Sequence, residues 1–580
     1  MLSFGDNTVP KSRPSVLQAA ARSTTKTVAR HVRAFDIARA TDALAIAVLA
    51  LVAMIATVTF RDYGLGWDDY TQSQYGHLLV SLYSSGFSDK RALSFVNLYM
   101  YGGGSDILST LAAKILPFGL FETRRLIGAV IGLIGLFVTW RLARRLGGPL
   151  AGVIALILLA ACPLYYGHMF INCKDTPFAT TMLIALLGIV RAFEEYPRAS
   201  PATVALCGIG FGLAIGTRVL GGFAVLEALL PLLFIFALRW RAHGAAATAS
   251  ECGKFLFPFI PGAILAVLVM GLVWPWSVTA PLNLFRAVAY FSHDFEKPWR
   301  ELFDGQLTLI TQMPRSYVPT LFAVTLPELM LGLGIGGLIG ACVVVRYDSA
   351  GLGRRAALLA IVLAAVLPVL LTIILQPYAY NGVRQLLFIV PPLAVLGGLA
   401  AAWIGRRLER YGRTATAAGV IVLAAGVASP AADMVRLHPY EYTHFNHIAG
   451  GVQGARPRYM IDYWALSLTQ AARELGRFIA KQGATPHDGI WKLAVCGSWP
   501  PISVALGPHY VRVSDTKNAD FAMMLGEAYC AKIGAPAIIR IVRDDVVYAT
   551  VYDLRGLSIS APLTVFDAGY RPSPPRAKSQ

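Results

Sequence analysis

Long uncharged stretches alternate with short polar segments along most of the chain. The first covers residues 43–60, and ten more of nearly membrane-spanning length follow, near residues 126–140, 150–166, 176–190, 202–217, 221–238, 255–275, 329–345, 356–375, 386–404 and 414–429. An α-helix needs about 20 apolar residues to cross a bilayer, and flanking residues extend the shorter stretches to that length. The pattern predicts an all-α polytopic membrane protein with about 11 transmembrane helices.

Two polar segments between these stretches are too long to be simple connections. Residues 61–125 contain short amphipathic runs, which are typical of helices that lie at a membrane surface. Residues 276–328 form the second long segment. Together with the short loop 167–177, we predict that they form the outer loops of the membrane domain.

The two ends of the chain differ from its middle. Residues 1–42 are polar and basic, which indicates a cytoplasmic tail before an uncleaved first helix. After the last apolar stretch, a helical pattern over residues 466–481 precedes a β-rich alternation over residues 537–551. We therefore predict a basic tail, a transmembrane domain over residues 43–430 and a small exported α/β domain over residues 431–580.

The composition agrees with a membrane protein and explains the net charge. Hydrophobic residues make up 56% of the chain and charged residues 14%, which excludes a series of ordinary soluble domains. The 51 Lys and Arg exceed the 33 Asp and Glu, and the resulting charge of +18 first suggests nucleic acid as a partner. The basic residues concentrate in the tail and in alternate loops, however, as they do in bacterial inner-membrane proteins. We therefore predict no nucleic acid, a cytoplasmic N-terminus and a periplasmic C-terminal domain.

This orientation depends on the long apolar region around Arg218. We interpret Arg218 as the outer tip of a tight hairpin between two helices. One continuous tilted helix across Arg218 would instead reverse the orientation of every later segment.

The seven cysteines give limited information. Cys496 and Cys530 both lie in the predicted exported domain, where the sequence is compatible with a disulfide and with two free thiols. No spacing of cysteine and histidine residues resembles a zinc site, so we assign no metal ligands.

The densest acidic cluster outside the predicted helices follows the first helix. It consists of Asp68 and Asp69 between Trp67 and Tyr70. Two adjacent carboxylates at the end of an apolar helix repel each other, and a carboxylate in that setting can serve as a base. The alternative is that they are ordinary polar residues of a loop.

The loop 167–177 carries a second group of polar residues, which includes His168, Asn172, Lys174 and Asp175. A loop this short stays close to the bilayer, where charged side chains are costly unless they are paired or functional. Lys174 is therefore either a ligand for a lipid phosphate, with Asp175 orienting it, or a lysine paired locally with its neighbour.

Two arginines are predicted at the same outer boundary. Arg218 follows Gly216-Thr217, and Arg384 follows Tyr380-Asn381-Gly382-Val383. The planar guanidinium group suits phosphate because it donates two parallel hydrogen bonds and stays charged. A single arginine there could equally anchor a helix end, so the hypothesis depends on the combination of outward carboxylates and outward cations.

The order of these features resembles the GT-C glycosyltransferases, specifically the superfamily of protein O-mannosyltransferases and lipid A aminoarabinose transferases. The resemblance extends over most of the chain. The residues that carry it are Asp68-Asp69, Tyr101-Gly102-Gly103, Thr123-Arg124-Arg125-Leu126, the loop 172–177, the stretch 446–454 and Asp462-Tyr463-Trp464. Asp69 departs from the pattern, because a glutamate is common at that place in the family.

The resemblance implies an inverting glycosyltransferase that takes a sugar from a polyprenyl-phosphate carrier on the outer face of the membrane. It implies Asp68 as the general base, Asp69 and Asp175 as residues that orient the base and the sugar, and a role in substrate binding for His168, Asn172 and Tyr70. Lys174, Arg218 and Arg384 would bind the donor phosphate. No cofactor is required, although a divalent metal ion is compatible with the site, and the acceptor would be a glycan, a lipid or a protein.

Two other functions fit the same membrane architecture. A transporter or flippase for a lipid-linked substrate would suit many helices, but transporters usually show repeated halves and charged residues near the bilayer midplane. An oligosaccharide ligase or polymerase would use a polyprenyl-diphosphate donor and would need additional cations near Arg218.

Overall fold

The structure is a computed structural model that describes residues 16–293, 299–347, 351–486 and 488–565. The helices of these residues are α1 (Val16–Thr59), α2 (Asp69–Ser84), α3 (Gly104–Ala112), α4 (Leu120–Gly147), α5 (Pro149–Ala160), α6 (Pro163–Ile171), α7 (Asp175–Glu194), α8 (Pro201–Thr217), α9 (Gly222–His243), α10 (Ala245–Leu256), α11 (Ile260–Val273), α12 (Asn283–His293), α13 (Tyr317–Thr325), α14 (Glu328–Tyr347), α15 (Leu352–Leu375), α16 (Val390–Tyr411), α17 (Arg413–Leu437), α18 (Gly451–Ala455), α19 (Ser467–Gln482) and α20 (Trp499–Leu506). The strands are β1 (Arg300–Phe303), β2 (Gln306–Leu309), β3 (Trp491–Cys496), β4 (Tyr510–Val513), β5 (Phe521–Leu525), β6 (Ala537–Arg543) and β7 (Val546–Asp553).

The apolar stretches found in the sequence coincide with these helices. Within the described residues, nine helical segments are long and apolar enough to cross a membrane. A tenth results if α5 and α6, which bend by 64° at their junction, form one span, and α8 is a shorter apolar helix. The predicted fold class, a polytopic helical protein with a small C-terminal α/β region, is therefore confirmed, whereas the number of 11 spans remains a prediction.

The chain is interrupted at Arg218, as the hairpin interpretation requires. Helix α8 ends at Thr217, Arg218 has an extended backbone, and α9 begins at Gly222. The turn is tight enough to require glycine, because a Cβ atom on Gly221 would lie 2.4 Å from the backbone of Ala214. A single continuous helix through this region is excluded.

The first outer segment packs against the ends of two apolar helices. The N–H of Gly102 donates to the carbonyl of Thr217, at 3.3 Å, and the N–H of Gly103 donates to the carbonyl of Val273, at 2.9 Å. A Cβ atom on Gly102 would lie 1.5 Å from the carbonyl oxygen of Gly216, so only glycine fits this contact. The neighbouring Tyr101 is thereby held beside the end of α8.

The C-terminal part contains a five-stranded mixed sheet with the strand order β4-β3-β5-β7-β6. Strands β4, β3 and β5 are parallel, and β7 pairs antiparallel with both β5 and β6. A disulfide joins Cys496, at the end of β3, to Cys530, and this pairing decides between the two states that the sequence left open.

The sheet and the membrane helices share one hydrophobic core. Buried sheet residues such as Leu493, Phe521 and Val551 belong to the same contiguous apolar cluster as Phe170 of α6 and Phe388 before α16. The C-terminal part is therefore packed directly onto the helix ends that carry the candidate site.

Candidate functional site

The two adjacent aspartates have very different surroundings. Asp69 is buried and accepts hydrogen bonds from both terminal nitrogens of Arg125, at 2.9 and 2.6 Å, and from the N–H of Gly66, at 2.7 Å. Asp68 is half-buried, and within the described residues its carboxylate has neither a hydrogen bond nor an ion pair. The carboxylate of Asp68 is therefore available to a substrate, whereas that of Asp69 is already saturated with partners.

Asn172 shapes the short loop between α6 and α7. Its side-chain oxygen accepts the N–H groups of Lys174 and Asp175, at 3.1 and 2.8 Å, and its amide nitrogen donates to Asp175 Oδ2, at 2.6 Å. His168, one turn earlier, is fully buried and contacts Asn172 at 3.3 Å and the hydroxyl of Tyr463 at 3.1 Å. These residues fix Asp175 in place and lie behind it.

Two arginines from distant parts of the chain converge on Asp175. Arg218 Nη2 lies 2.6 Å from Asp175 Oδ1, and Arg384 Nη1 lies 3.0 Å from Asp175 Oδ2. All three side chains are buried. Because one carboxylate faces two guanidinium groups, this cluster retains one uncompensated positive charge.

Lys174 and Tyr101 extend the positively charged region. The Lys174 Nζ lies 4.4 Å from the centre of the Tyr101 ring, and the Cζ of Arg218 lies 5.8 Å from the same centre. Both distances are within the range of a cation–π interaction. Within the described residues, Lys174 has no carboxylate at ion-pair distance, so its charge adds to the surplus of the arginine cluster.

Asp68 lies within electrostatic range of this region. Burial raises the pKa of Tyr101 to about 12, and the charge of Asp68 contributes to the rise while that of Arg218 opposes it. The pKa of Tyr380 is raised by burial too, again with a contribution from Asp68. The available carboxylate therefore lies within electrostatic range of the surplus cations.

Trp464 connects the two sides of the site. Its ring lies 4.6 Å from the Cζ of Arg384, and a Cβ atom on Gly66 would lie 2.0 Å from it. The segment that leads to Asp68 and the arginine that binds Asp175 therefore rest on the same indole ring.

The structure brings most of the predicted site residues together. Arg218 and Arg384 contact Asp175, and His168 and Asn172 form the layer behind it. Lys174 shares the Tyr101 ring with Arg218, and Asp68 lies within electrostatic range of Arg384. Tyr70 lies on the first turn of α2 with an exposed side chain, 40% accessible, on the outside of this group.

Sequence reasoning missed the pairing of Arg125 with Asp69, and with it the buried pair of Arg124 and Asp106, whose nearest atoms are 2.6 Å apart. A signal was present. Two arginines at the outer end of a predicted helix contradict the rule that places basic residues inside, so a partner should have been expected for each. The described residues contain no group of three or more His, Cys, Asp or Glu side chains that could hold a metal ion.

Part of the chain matches a known protein family. Residues 107–274 match the family described as dolichyl-phosphate-mannose-protein mannosyltransferase. The match confirms the resemblance to the GT-C superfamily that the sequence motifs indicated, and with the helical architecture it indicates a membrane glycosyltransferase. A search of curated protein sequences gave no significant match.

Solved structures of similar architecture include ArnT from Cupriavidus metallidurans. In its complex with undecaprenyl phosphate, it is 17% identical, covers 88% of this chain and 97% of its own, and has a TM-score of 0.47. Its apo state is 16% identical, with coverages of 89% and 98% and a TM-score of 0.49. The oligosaccharyltransferase AglB from Archaeoglobus fulgidus, in complex with an inhibitory peptide and a dolichol-phosphate, is 14% identical, with coverages of 81% and 64% and a TM-score of 0.46. At these values the likeness carries no information about substrates.

Proposed function

We propose that this protein transfers a sugar from a polyprenyl-phosphate donor to an acceptor hydroxyl on the periplasmic face of a bacterial inner membrane, with inversion. The observation that carries the proposal is the carboxylate of Asp68, which has no partner among the described residues and lies within electrostatic range of a cluster of cations with surplus positive charge. The carboxylate is suited to receive a proton, and the cations are suited to bind an anion.

The charges of the cluster favour a monophosphate donor. Lys174, Arg218 and Arg384 supply three positive charges, and Asp175 and Asp68 supply two negative ones. The phosphodiester of a polyprenyl-phosphate sugar carries one negative charge, which balances the remaining positive charge. A diphosphate donor, as an oligosaccharide ligase would use, brings more negative charge than these residues compensate.

The chemistry follows from the two sides of the site. The acceptor oxygen attacks the anomeric carbon as Asp68 takes its proton, and the bond from that carbon to the phosphate oxygen breaks with its electrons on the phosphate. The leaving polyprenyl phosphate gains negative charge in this step. Lys174, Arg218 and Arg384 stabilise that charge because they are in place before it develops.

The other predicted residues take supporting roles in this proposal. Asp69, held by Arg125, fixes the first turn of α2 and so the position of Asp68. Asn172 and His168 hold Asp175, which in turn separates and orients the two arginines. We assign the exposed Tyr70 to contact with an acceptor that approaches Asp68 from outside.

An apolar groove beside the site suits the isoprenoid chain of the donor. It has a volume of about 500 Å³ and runs between α2 and α11, with a lining that includes Tyr83, Leu268 and Leu272. The end of α11 binds Gly103 through Val273, two residues from Tyr101, so the groove approaches the cations. A lipid chain in the groove would bring its phosphate to that end.

The test is binding of polyprenyl phosphate to the purified protein in lipid nanodiscs, followed by transfer from a panel of polyprenyl-phosphate sugars. Replacing Lys174 with glutamine should weaken polyprenyl phosphate binding about 10- to 100-fold, because a charged hydrogen bond contributes roughly 1.5–3 kcal/mol. Lys114→Gln is the matched control, since Lys114 is exposed at the end of α3. A wild-type protein that binds no polyprenyl phosphate, or a Lys174→Gln protein that binds it normally, would contradict the proposal.

A further inference from the structure

The loop between α15 and α16 has an unusual backbone immediately before Arg384. Asn381 and Gly382 have φ angles of +56° and +69°, a region that a residue with a side chain rarely adopts. Their N–H groups point at one carboxylate: Asn381 donates to Glu301 Oε2, at 3.0 Å, and Gly382 donates to Glu301 Oε1, at 3.2 Å. Glu301 lies on β1, in the second outer segment. A distant carboxylate thus stabilises a conformation that the loop itself disfavours.

Burial of the Glu301 carboxylate lowers the stability of the folded protein. The residue is 4% exposed, and within the described residues its carboxylate has no ion pair with a Lys or Arg. Burial raises its pKa to about 7, although its hydrogen bonds oppose that rise. A buried carboxylate without an ion pair costs stability, and the two backbone hydrogen bonds and the nearby charge of Arg384 offset part of that cost.

The same loop is connected to the site by a ring of contacts. A Cβ atom on Gly382 would lie 3.3 Å from the ring of Tyr463, whose hydroxyl contacts His168 at 3.1 Å. His168 contacts Asn172, which holds Asp175, and Asp175 binds Arg384. The position of Arg384 is therefore set from two directions, by Asp175 and by the loop that Glu301 holds.

We infer that Glu301 is a positioning residue, which fixes the loop 376–383 so that Arg384 faces the donor phosphate. The identity of the ligand as a phosphate rests on the proposed function, whereas the effect of Glu301 on the loop conformation does not depend on it. Glu301 touches no substrate in this arrangement, and it acts through the two N–H groups of Asn381 and Gly382.

The first measurement needs no ligand. In Glu301→Gln the side chain keeps its shape but has only one acceptor oxygen. That oxygen can accept the N–H of either Asn381 or Gly382, and the new amide group then faces the N–H of the other residue. Hydrogen–deuterium exchange of the full-length protein should show the amides of the segment 378–386 exchanging at least about tenfold faster than in the wild type. Unchanged exchange would overturn the inference, whatever the enzymatic activity of the protein.

The second measurement separates positioning from general destabilisation. Glu301→Gln should weaken binding of polyprenyl phosphate about tenfold in the wild-type background and hardly at all in an Arg384→Gln background, because the loop acts through Arg384. In a Lys174→Gln background the tenfold loss should persist, since Lys174 lies on a different element. Equal losses in all three backgrounds, or normal binding by Glu301→Gln, would overturn the inference.

A second variant keeps the inference testable if Glu301→Gln fails to fold. Gly382→Ala leaves Glu301 intact but strains the backbone and presses on Tyr463, so it should give the same loss and the same dependence on Arg384. A different pattern would contradict the positioning role. If wild-type protein binds no polyprenyl phosphate at all, the proposed function fails, and the exchange measurement still decides whether Glu301 holds the loop.

Discussion

Asp68 and Asp69 provide the sharpest test of the site, because neighbouring residues of the same type should respond in opposite ways. Asp69 receives three hydrogen bonds, two of them from Arg125, and both partners are at most 3% exposed. In Asp69→Asn one acceptor oxygen is lost and Arg125 becomes a buried charge without a counterion. Removing one partner of a buried ion pair costs about 3–5 kcal/mol, so this variant should unfold at a clearly lower temperature.

Asp68→Asn should leave the stability of the protein almost unchanged and should lower its activity. Its carboxylate has no partner within the described residues, so the free energy of unfolding should change by no more than about 0.5 kcal/mol. Loss of a general base should lower the turnover rate by about 10²–10⁴-fold. Binding of polyprenyl phosphate should remain, because the cations that hold it are unchanged.

Both variants can be compared by thermal unfolding in detergent and by transfer from a polyprenyl-phosphate sugar. A double variant, Asp69→Asn with Arg125→Gln, should regain part of the lost stability, since neither partner then leaves a buried charge unpaired. Normal transfer by a folded Asp68→Asn protein would refute its assignment as the base. Wild-type unfolding of Asp69→Asn would refute the structural account of the Asp69–Arg125 pair.

Two further predictions concern the C-terminal part and the topology. Burial, reinforced by the charge of Asp462, raises the pKa of Glu527 from the usual 4.5 to about 8, so its contribution to stability is present below pH 4.5 and is lost as the pH rises through 8. Glu527→Gln keeps an oxygen for the N–H groups of Ile461 and Asp462 but carries no charge at any pH. The variant should therefore raise the unfolding temperature at pH 8.5 but hardly at pH 4.5. Equal effects at both pH values would contradict this account. The topology can be tested with single cysteines that replace the exposed Lys114 or Arg241. In intact spheroplasts, an impermeant maleimide should label the cysteine at position 114 and not the one at position 241. Labelling only at position 241 would reverse the proposed orientation.

Hydropathy and alternation predicted most of the fold, because a membrane span and an amphipathic strand are each recorded in a continuous stretch of sequence. The strands predicted over residues 537–551 are β6 and β7, and the helix predicted over residues 466–481 is α19. The interruption at Arg218 was also predictable, since an arginine in the middle of an apolar helix is costly.

The site was predictable as a set of residue types but not as a set of partners. Residue types and spacing could not distinguish Asp68 from Asp69, and only the family resemblance assigned the base to Asp68. The structural difference depends on Arg125, which lies far along the chain. It likewise could not predict that Asp175 binds two arginines from separate loops. Glu301 was missed entirely, since a single acidic residue in a polar segment carries no local signal of burial.

The position of Trp464 determines when the candidate site is completed during biosynthesis. Trp464 supports both Gly66 and Arg384, and Tyr463 contacts His168, yet both residues lie beyond Leu437, where the last apolar helix ends. A nascent chain that has inserted all its helices therefore still has an unfinished site. The candidate site is therefore complete only after the C-terminal part has packed against the helix ends.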